Sequence, residues 1–195
     1  IQQPDVRWGE TVAEGWKFDR DNKFVLGEFV WTGFDYIGEP TPYMNYSITD
    51  IDGNVIIPKS SYFGIVDTAG IPKDSYYLYQ SQWTDTPMVH ILPHWNWDNG
   101  EKVQVWAYTN ADSVELFLNG ESLGVKSFEK KTTDYGMEYK ETSDGEIYLS
   151  WEVPYEAGEL KAVATLDGKI VAEDTVKTAG SAQSVKLTPD RRVID

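Results

Sequence analysis

Val103-Gln104-Val105-Trp106-Ala107-Tyr108 alternates along its length, and Val114-Glu115-Leu116-Phe117-Leu118 alternates again before meeting Asn119-Gly120. A period of two places every second side chain on one face of a strand. Asn-Gly tolerates the positive φ angles that a two-residue hairpin needs. Downstream the pattern recurs in Ile147 to Val153, in Leu160 to Leu166 and in Ile170 to Val176, the last two separated by the second hairpin dipeptide, Asp167-Gly168. From Val89 onward this predicts about seven short strands separated by turns, which points to a two-sheet sandwich of immunoglobulin type. Trp106 and Trp151, lying on strands, are expected in its core. There is no cysteine, so such a sandwich stands without the disulfide and without any thiolate chemistry.

Working outward toward the amino terminus, the texture changes. Residues 10–24 read as a helix with an imperfect stripe at Val12, Ala13 and Trp16, and Phe24 to Trp31 is a nearly continuous apolar run of strand length, as in a parallel strand covered on both faces. Thr32 to Ser61 is rich in Gly, Pro, Tyr and Asp, the composition of a functional loop region with short strands at most. Ile71-Pro72-Lys73-Asp74 opens a second helix carrying Tyr76, Tyr79 and Trp83 on one face, and Thr84 to Pro87 stops it. Toward the carboxyl terminus, Thr178 to Ala182 is a small-residue linker and Val185-Lys186-Leu187-Thr188 restarts a strand pattern. The chain therefore reads as cut at both ends.

Seventeen basic against thirty-two acidic residues give a formal charge of −15 over 195 residues. Such a surface repels phosphate backbones and anionic lipid headgroups, so nucleic-acid and membrane partners are not expected. His90 and His94 are the two histidines, and the acidic residues Asp134, Asp144 and Asp190 lack calcium-loop spacing, so no metal is expected. Eight Trp and twelve Tyr suit carbohydrate work, because sugar rings lay their C–H faces against aromatic rings, although most such residues serve as core bulk.

The runs Gly27 to Tyr36, Gly38-Glu39-Pro40-Thr41-Pro42-Tyr43, Ser61 to Gly70 with Pro72-Lys73-Asp74, His94-Trp95-Asn96-Trp97, Tyr108-Thr109-Asn110 and Val114 to Gly120 together resemble glycoside hydrolase family 2, the β-galactosidase-like enzymes. Nearly the whole chain takes part, in the family's order. The resemblance implies a mixed architecture: residues 1–86 as the last strand and helices of a (β/α)₈ barrel, 87–179 as an all-β immunoglobulin-like sandwich, and 180–195 as a linker and the first strand of a further sandwich. It implies a retaining, exo-acting glycosidase as the parent, most simply a β-galactosidase, with both catalytic glutamates upstream of Ile1. No catalytic residue is then expected in this chain, and the isolated piece is expected to be inactive.

By the same resemblance Trp31 forms an aromatic platform beside the sugar, at the barrel mouth where such enzymes place their active sites. Asp35 and Glu39 are candidates to hydrogen-bond substrate hydroxyls, or else to organise the loop by holding backbone donors. Tyr36 and Tyr43 are candidates to wall the site. Glu28 matches a position that is not catalytic. Alternation would put Trp95 and Trp97 on one face, packed against the barrel, with a sugar-binding strip as the competing reading. The implied partners are a carbohydrate substrate and the remainder of the parent hydrolase, with homo-oligomerisation open. No cofactor is implied, and the family's habit implies a secreted or periplasmic bacterial protein. The alternative from another class is a carbohydrate-binding or structural sandwich module with no catalysis.

Overall fold

The computed structural model describes residues 10–38, 48–49, 52–57, 59–189 and 191. In chain order these form helix α1 (Val12–Asp21), the two-residue strands β1 (Ile48–Thr49) and β2 (Val55–Ile56), and helix α2 (Asp74–Trp83). Strands β3 (Val89–Leu92), β4 (Lys102–Thr109), β5 (Ser113–Leu118), β6 (Glu121–Ser127), β7 (Glu129–Thr132) and β8 (Glu138–Glu141) follow. The last three are β9 (Leu149–Pro154), β10 (Glu159–Leu166) and β11 (Lys169–Lys177).

Seven of these strands make the sandwich. One sheet has the order β3-β4-β9 and the other β11-β10-β5-β6, all pairs antiparallel. Alternation decides what each strand buries. Val103, Val105 and Ala107 of β4 and Leu149, Trp151 and Val153 of β9 face Val114 and Leu116 of β5 and Leu160, Ala162 and Ala164 of β10, and all are buried in one cluster. Both hairpin dipeptides do what their chemistry allows: Asn119 and Gly120 have φ of 52° and 86°, and Asp167 and Gly168 have 49° and 75°. Asn119 does more, since its Oδ1 accepts from Glu159 N at 2.9 Å and so ties the β5–β6 turn to the start of β10.

Trp95 and Trp97 correct the alternation argument. The chain leaves β3 at Leu92 through Pro93, so neither indole lies on a strand. Trp95 is fully buried inside the sandwich, against Tyr155 and with Nε1 donating to Glu156 O at 3.0 Å. Trp97 is half-buried, stacks on His94 and donates Nε1 to His94 O at 2.7 Å. Neither packs on the amino-terminal helices.

Other residues make that contact. Leu78, Leu92, Tyr108 and Ile147 form a second buried cluster, with Val12, Ala13, Trp16, Tyr77 and Trp106 packed around it. Trp106 belongs to this junction and not to the sandwich interior. Polar bonds reinforce it. Arg20 of α1 is buried and donates Nη1 to Glu141 Oε2 of β8 at 2.9 Å, with its guanidinium 4.0 Å above the Tyr139 ring. His90 stacks on Tyr77 of α2 at 3.7 Å and meets Asp74 Oδ1 at 3.1 Å.

The linker between α2 and β3 is held by two adjacent residues at the end of β4, Thr109 and Asn110. Asn110 accepts from Met88 N at 3.0 Å and donates Nδ2 to Thr84 O and Thr86 O at 2.9 and 2.8 Å, while Thr109 Oγ1 donates to Met88 O at 2.6 Å. The Thr109-Asn110 pair thus satisfies the polar backbone of a linker that has no regular structure of its own. At the same end of the sandwich Asp112 gathers Lys140 at 2.8 Å, Lys130 at 3.4 Å and the Asp167 backbone N–H at 3.1 Å. The Lys140 hydrogen bond, outweighing partial burial, holds the Asp112 carboxyl down at about 2.

Two strand predictions are overturned. Phe24 to Trp31 forms no strand, and Leu26 and Phe29 are wholly exposed. A parallel strand depends on neighbours at its edges and cover on its faces, and no described segment supplies them. No barrel stands among the described residues. Val185 to Thr188 likewise lies outside any strand, with Val185 and Leu187 exposed and paired to none of the described sheets.

Candidate functional site

The loop after Trp31 is built by backbone pairing with a segment thirty residues further on. Ile65 N donates to Thr32 O and Val66 N to Gly33 O, both at 3.0 Å, and Asp35 N to Val66 O, Ser61 N to Tyr36 O and Gly38 N to Lys59 O, each at 2.9 Å. This ladder reconciles a Gly-rich, Pro-rich composition with order. Gly64 is required at its tightest point: a Cβ there would lie 2.1 Å from Asp35 N, well inside any allowed contact.

Asp35 sits at the centre of this turn. It is buried, and its Oδ1 accepts from Gly64 N at 2.8 Å and from Lys73 Nζ at 2.7 Å. Lys73 also donates to Tyr62 O at 3.1 Å, so one carboxylate and one ammonium fix both strands of the ladder and the start of α2. This geometry matches the loop-organising role. Asp67 performs a similar local task, its Oδ1 accepting from Ala69 N and Ile71 N at 2.8 Å each.

Trp31 is the outward element. Its indole is 76% exposed, and the peptide bond that follows it, Trp31–Thr32, is cis. Tyr36 stands edge-on to it with ring centroids 6.5 Å apart, and Trp31 Nε1 donates to Tyr36 Oη at 3.4 Å. An indole held by a phenol presents a flat apolar face with a hydroxyl at its border. That combination suits a pyranose ring, which offers C–H bonds on one face and hydroxyls at its rim. Glu39 and Tyr43 lie outside the described residues, as do Asp190 and the first nine residues.

Glu28 points elsewhere. Its carboxyl is pushed up from the ordinary value by burial first and then by Asp19 and Glu10, against a hydrogen bond with Tyr79 of α2 that pulls it down. Burial and Glu28 push the Tyr79 phenol up in turn. The pair ties the 24–31 run to α2. Among the described residues, no group of three or more His, Cys, Asp or Glu is placed to hold a metal ion. Two features of the site went unread in the sequence: the Asp35–Lys73 pair, whose partners are 38 positions apart, and the need for glycine at 64. The Pro72-Lys73-Asp74 and Tyr62-Phe63-Gly64 motifs contained both.

A family model described as a domain of unknown function (DUF4982) matches residues 100–172, most of the sandwich. The chain is 47% identical over 190 residues to Beta-galactosidase BoGH2A of Bacteroides ovatus, covering 97% of this chain and 19% of that protein. It is 41% identical over 177 residues to a "Putative beta-glucuronidase" of Formosa agariphila, covering 89% of this chain and 15% of that protein. Among solved structures, a beta-glycosidase from Bacteroides vulgatus superposes with a TM-score of 0.70 at 38% identity, over 91% of this chain and 20% of that one. A glycosyl hydrolase family 2 member from Bacteroides cellulosilyticus does so with a TM-score of 0.69 at 31% identity, over 93% and 26%. The chain thus spans about a fifth of the length of these relatives.

Proposed function

Starting from a chain that belongs to glycoside hydrolase family 2, we propose that its parent protein hydrolyses terminal β-glycosidic bonds and that this portion supplies Trp31 as one wall of the sugar site. The single observation that carries the reading is the exposed indole braced by Tyr36 on a loop stapled by Asp35 and Lys73. In this reading residues 1–86 are the last strand and helices of a (β/α)₈ barrel. The bare apolar faces of Leu26 and Phe29 are then where the remainder of that barrel rests. Residues 87–179 are an immunoglobulin-like domain that grips α1 and α2 and holds the barrel end in place. The reaction is a retaining double displacement by two carboxyl groups ~5–5.5 Å apart, which the remainder of the parent provides.

The relatives' names divide between galactosidase and glucuronidase. A neutral sugar suits this portion better, because the Lys73 ammonium is committed to Asp35 and Tyr62 O and does not greet a uronate. Terminal β-galactoside is therefore the proposed substrate. Asp35 acts by shaping the loop, and contact with hydroxyls falls to Trp31, Tyr36 and the region of Glu39. Trp31→Ala in the parent enzyme is expected to lower kcat/KM for an aryl β-galactoside by about 100-fold, the loss of roughly 2.7 kcal/mol of transition-state binding. An unchanged kcat/KM would remove Trp31 from the site.

A further inference from the structure

The three-stranded sheet carries a second aromatic cleft, well separated in sequence from Trp31. It measures about 250 Å³ and is lined by Pro93, His94, Trp97, Glu101, Gln104 and Trp106, among others. Its origin is a half-paired strand. β3 pairs only with the end of β4, Leu92 standing opposite Trp106, while β9 runs along β4 from Lys102 to Ala107. The first half of β4 is therefore an open edge on its β3 side, and Pro93, His94 and Trp97 line the cleft beside it. Lys102, Gln104 and Trp106 alternate with the buried Val103 and Val105, so they form the outward row of β4 that floors the cleft.

We infer that this cleft is an ancillary binding site for one neutral pyranose unit of a glycan, a reading that rests on the glycosidase assignment above. Both indoles are set before any ligand arrives. Trp97 is stacked on His94 with ring centroids 4.8 Å apart and planes 9° apart, and Trp106 on Tyr148 at 4.6 Å. Little side-chain freedom remains to be lost on binding. A volume below that of drug-sized pockets suits a single ring. The border is polar but not cationic: Lys102 Nζ is 2.7 Å from Glu152 Oε1, Gln104 Nε2 is 3.3 Å from Glu152 Oε2, and Glu101 accepts from Asp98 N at 3.3 Å. Two glutamates against one lysine repel a uronate or phosphate and leave amide and carboxylate oxygens to receive hydroxyls. The ligand is thus a neutral sugar, and its role is to hold a longer glycan to the enzyme.

The test uses the 195-residue chain and two probes, methyl β-D-galactopyranoside and methyl β-D-glucuronide, with indole Nε1–H resonances followed by NMR. The galactoside is expected to bind with a Kd on the order of millimolar, shifting Trp97 and Trp106, and the glucuronide at least tenfold more weakly. Gln104→Ala, at an exposed position, is expected to weaken the galactoside at least threefold without unfolding the chain. Shifts confined to Trp31, equal response to the two probes, or no shift at all would each overturn the site. Hydrolysis by the parent is scored separately: an active parent whose cleft stays silent refutes the cleft alone, and an inert parent whose cleft responds refutes the glycosidase reading alone.

Discussion

Trp95→Ala is expected to lower the unfolding free energy of the sandwich by about 3–5 kcal/mol, the range for deleting a large enclosed aromatic side chain. Trp95 has no exposed surface, touches Tyr155 and spends its one donor on Glu156 O. Truncation therefore leaves a cavity in the sandwich and removes the hydrogen bond that ties Trp95 to Glu156 O. The measurement is urea unfolding followed by the β-sheet signal. Because Trp95 belongs to the sandwich interior, the main transition itself should move. A change confined to release of α1 and α2, with the sandwich midpoint within about 0.5 kcal/mol of its starting value, would restore the interdomain role that alternation suggested.

Glu141→Ala is expected to cost about 2–4 kcal/mol, below the top of the range for breaking a buried ion pair because Arg20 keeps its bonds to Asp21 at 2.7 and 2.9 Å. The loss falls on the junction, where Glu141 joins Arg20 of α1 to Lys131 of β7. Hydrogen exchange should show α1 opening before the sandwich strands do. The same pair fixes a pH dependence. Burial raises the Glu141 carboxyl, and the hydrogen bonds from Lys131 and Arg20 more than reverse that, so its folded value lies below the ordinary one. The stabilisation is then fully present above the unfolded value of about 4.3 and is lost as pH falls through the lower folded value. Glu141→Gln should flatten that acid loss, and an unaltered acid profile would show that the pair does not link α1 to the antiparallel β7–β8 pair.

The sandwich was legible because its strands alternate and its tight turns are written as Asn119-Gly120 and Asp167-Gly168, local chemistry with few alternatives. Both helices were legible from side-chain spacing, Val12, Ala13 and Trp16 in α1 and Tyr76, Tyr79 and Trp83 in α2, while the reciprocal cap of Thr11 and Glu14 on α1 went unread. The 24–31 run was misread as a formed strand because an apolar pattern records the cover a segment is suited to, not whether that cover lies within the described chain. Trp95 and Trp97 were misread because alternation was applied beyond the end of β3, where Pro93 redirects the chain. At the site, the aromatic character of Trp31 was visible from its place at the end of the run. The work of Asp35 was not, since its ammonium partner and its glycine partner are 38 and 29 positions away. The Thr109-Asn110 clamp shows the same difficulty from the other side: the motif stands in the sequence, but its purpose depends on a linker with no pattern of its own.

That this chain is a non-catalytic portion of a retaining β-glycosidase is the proposal on which the function rests. Its most direct test is NMR of the anomeric proton of the sugar first released from an aryl β-galactoside, with the parent protein and the 195-residue chain assayed side by side. The β-anomer is expected to appear first with the parent, with no release above the buffer rate from the chain alone. Release by the chain alone, or the α-anomer appearing first with the parent, would contradict it.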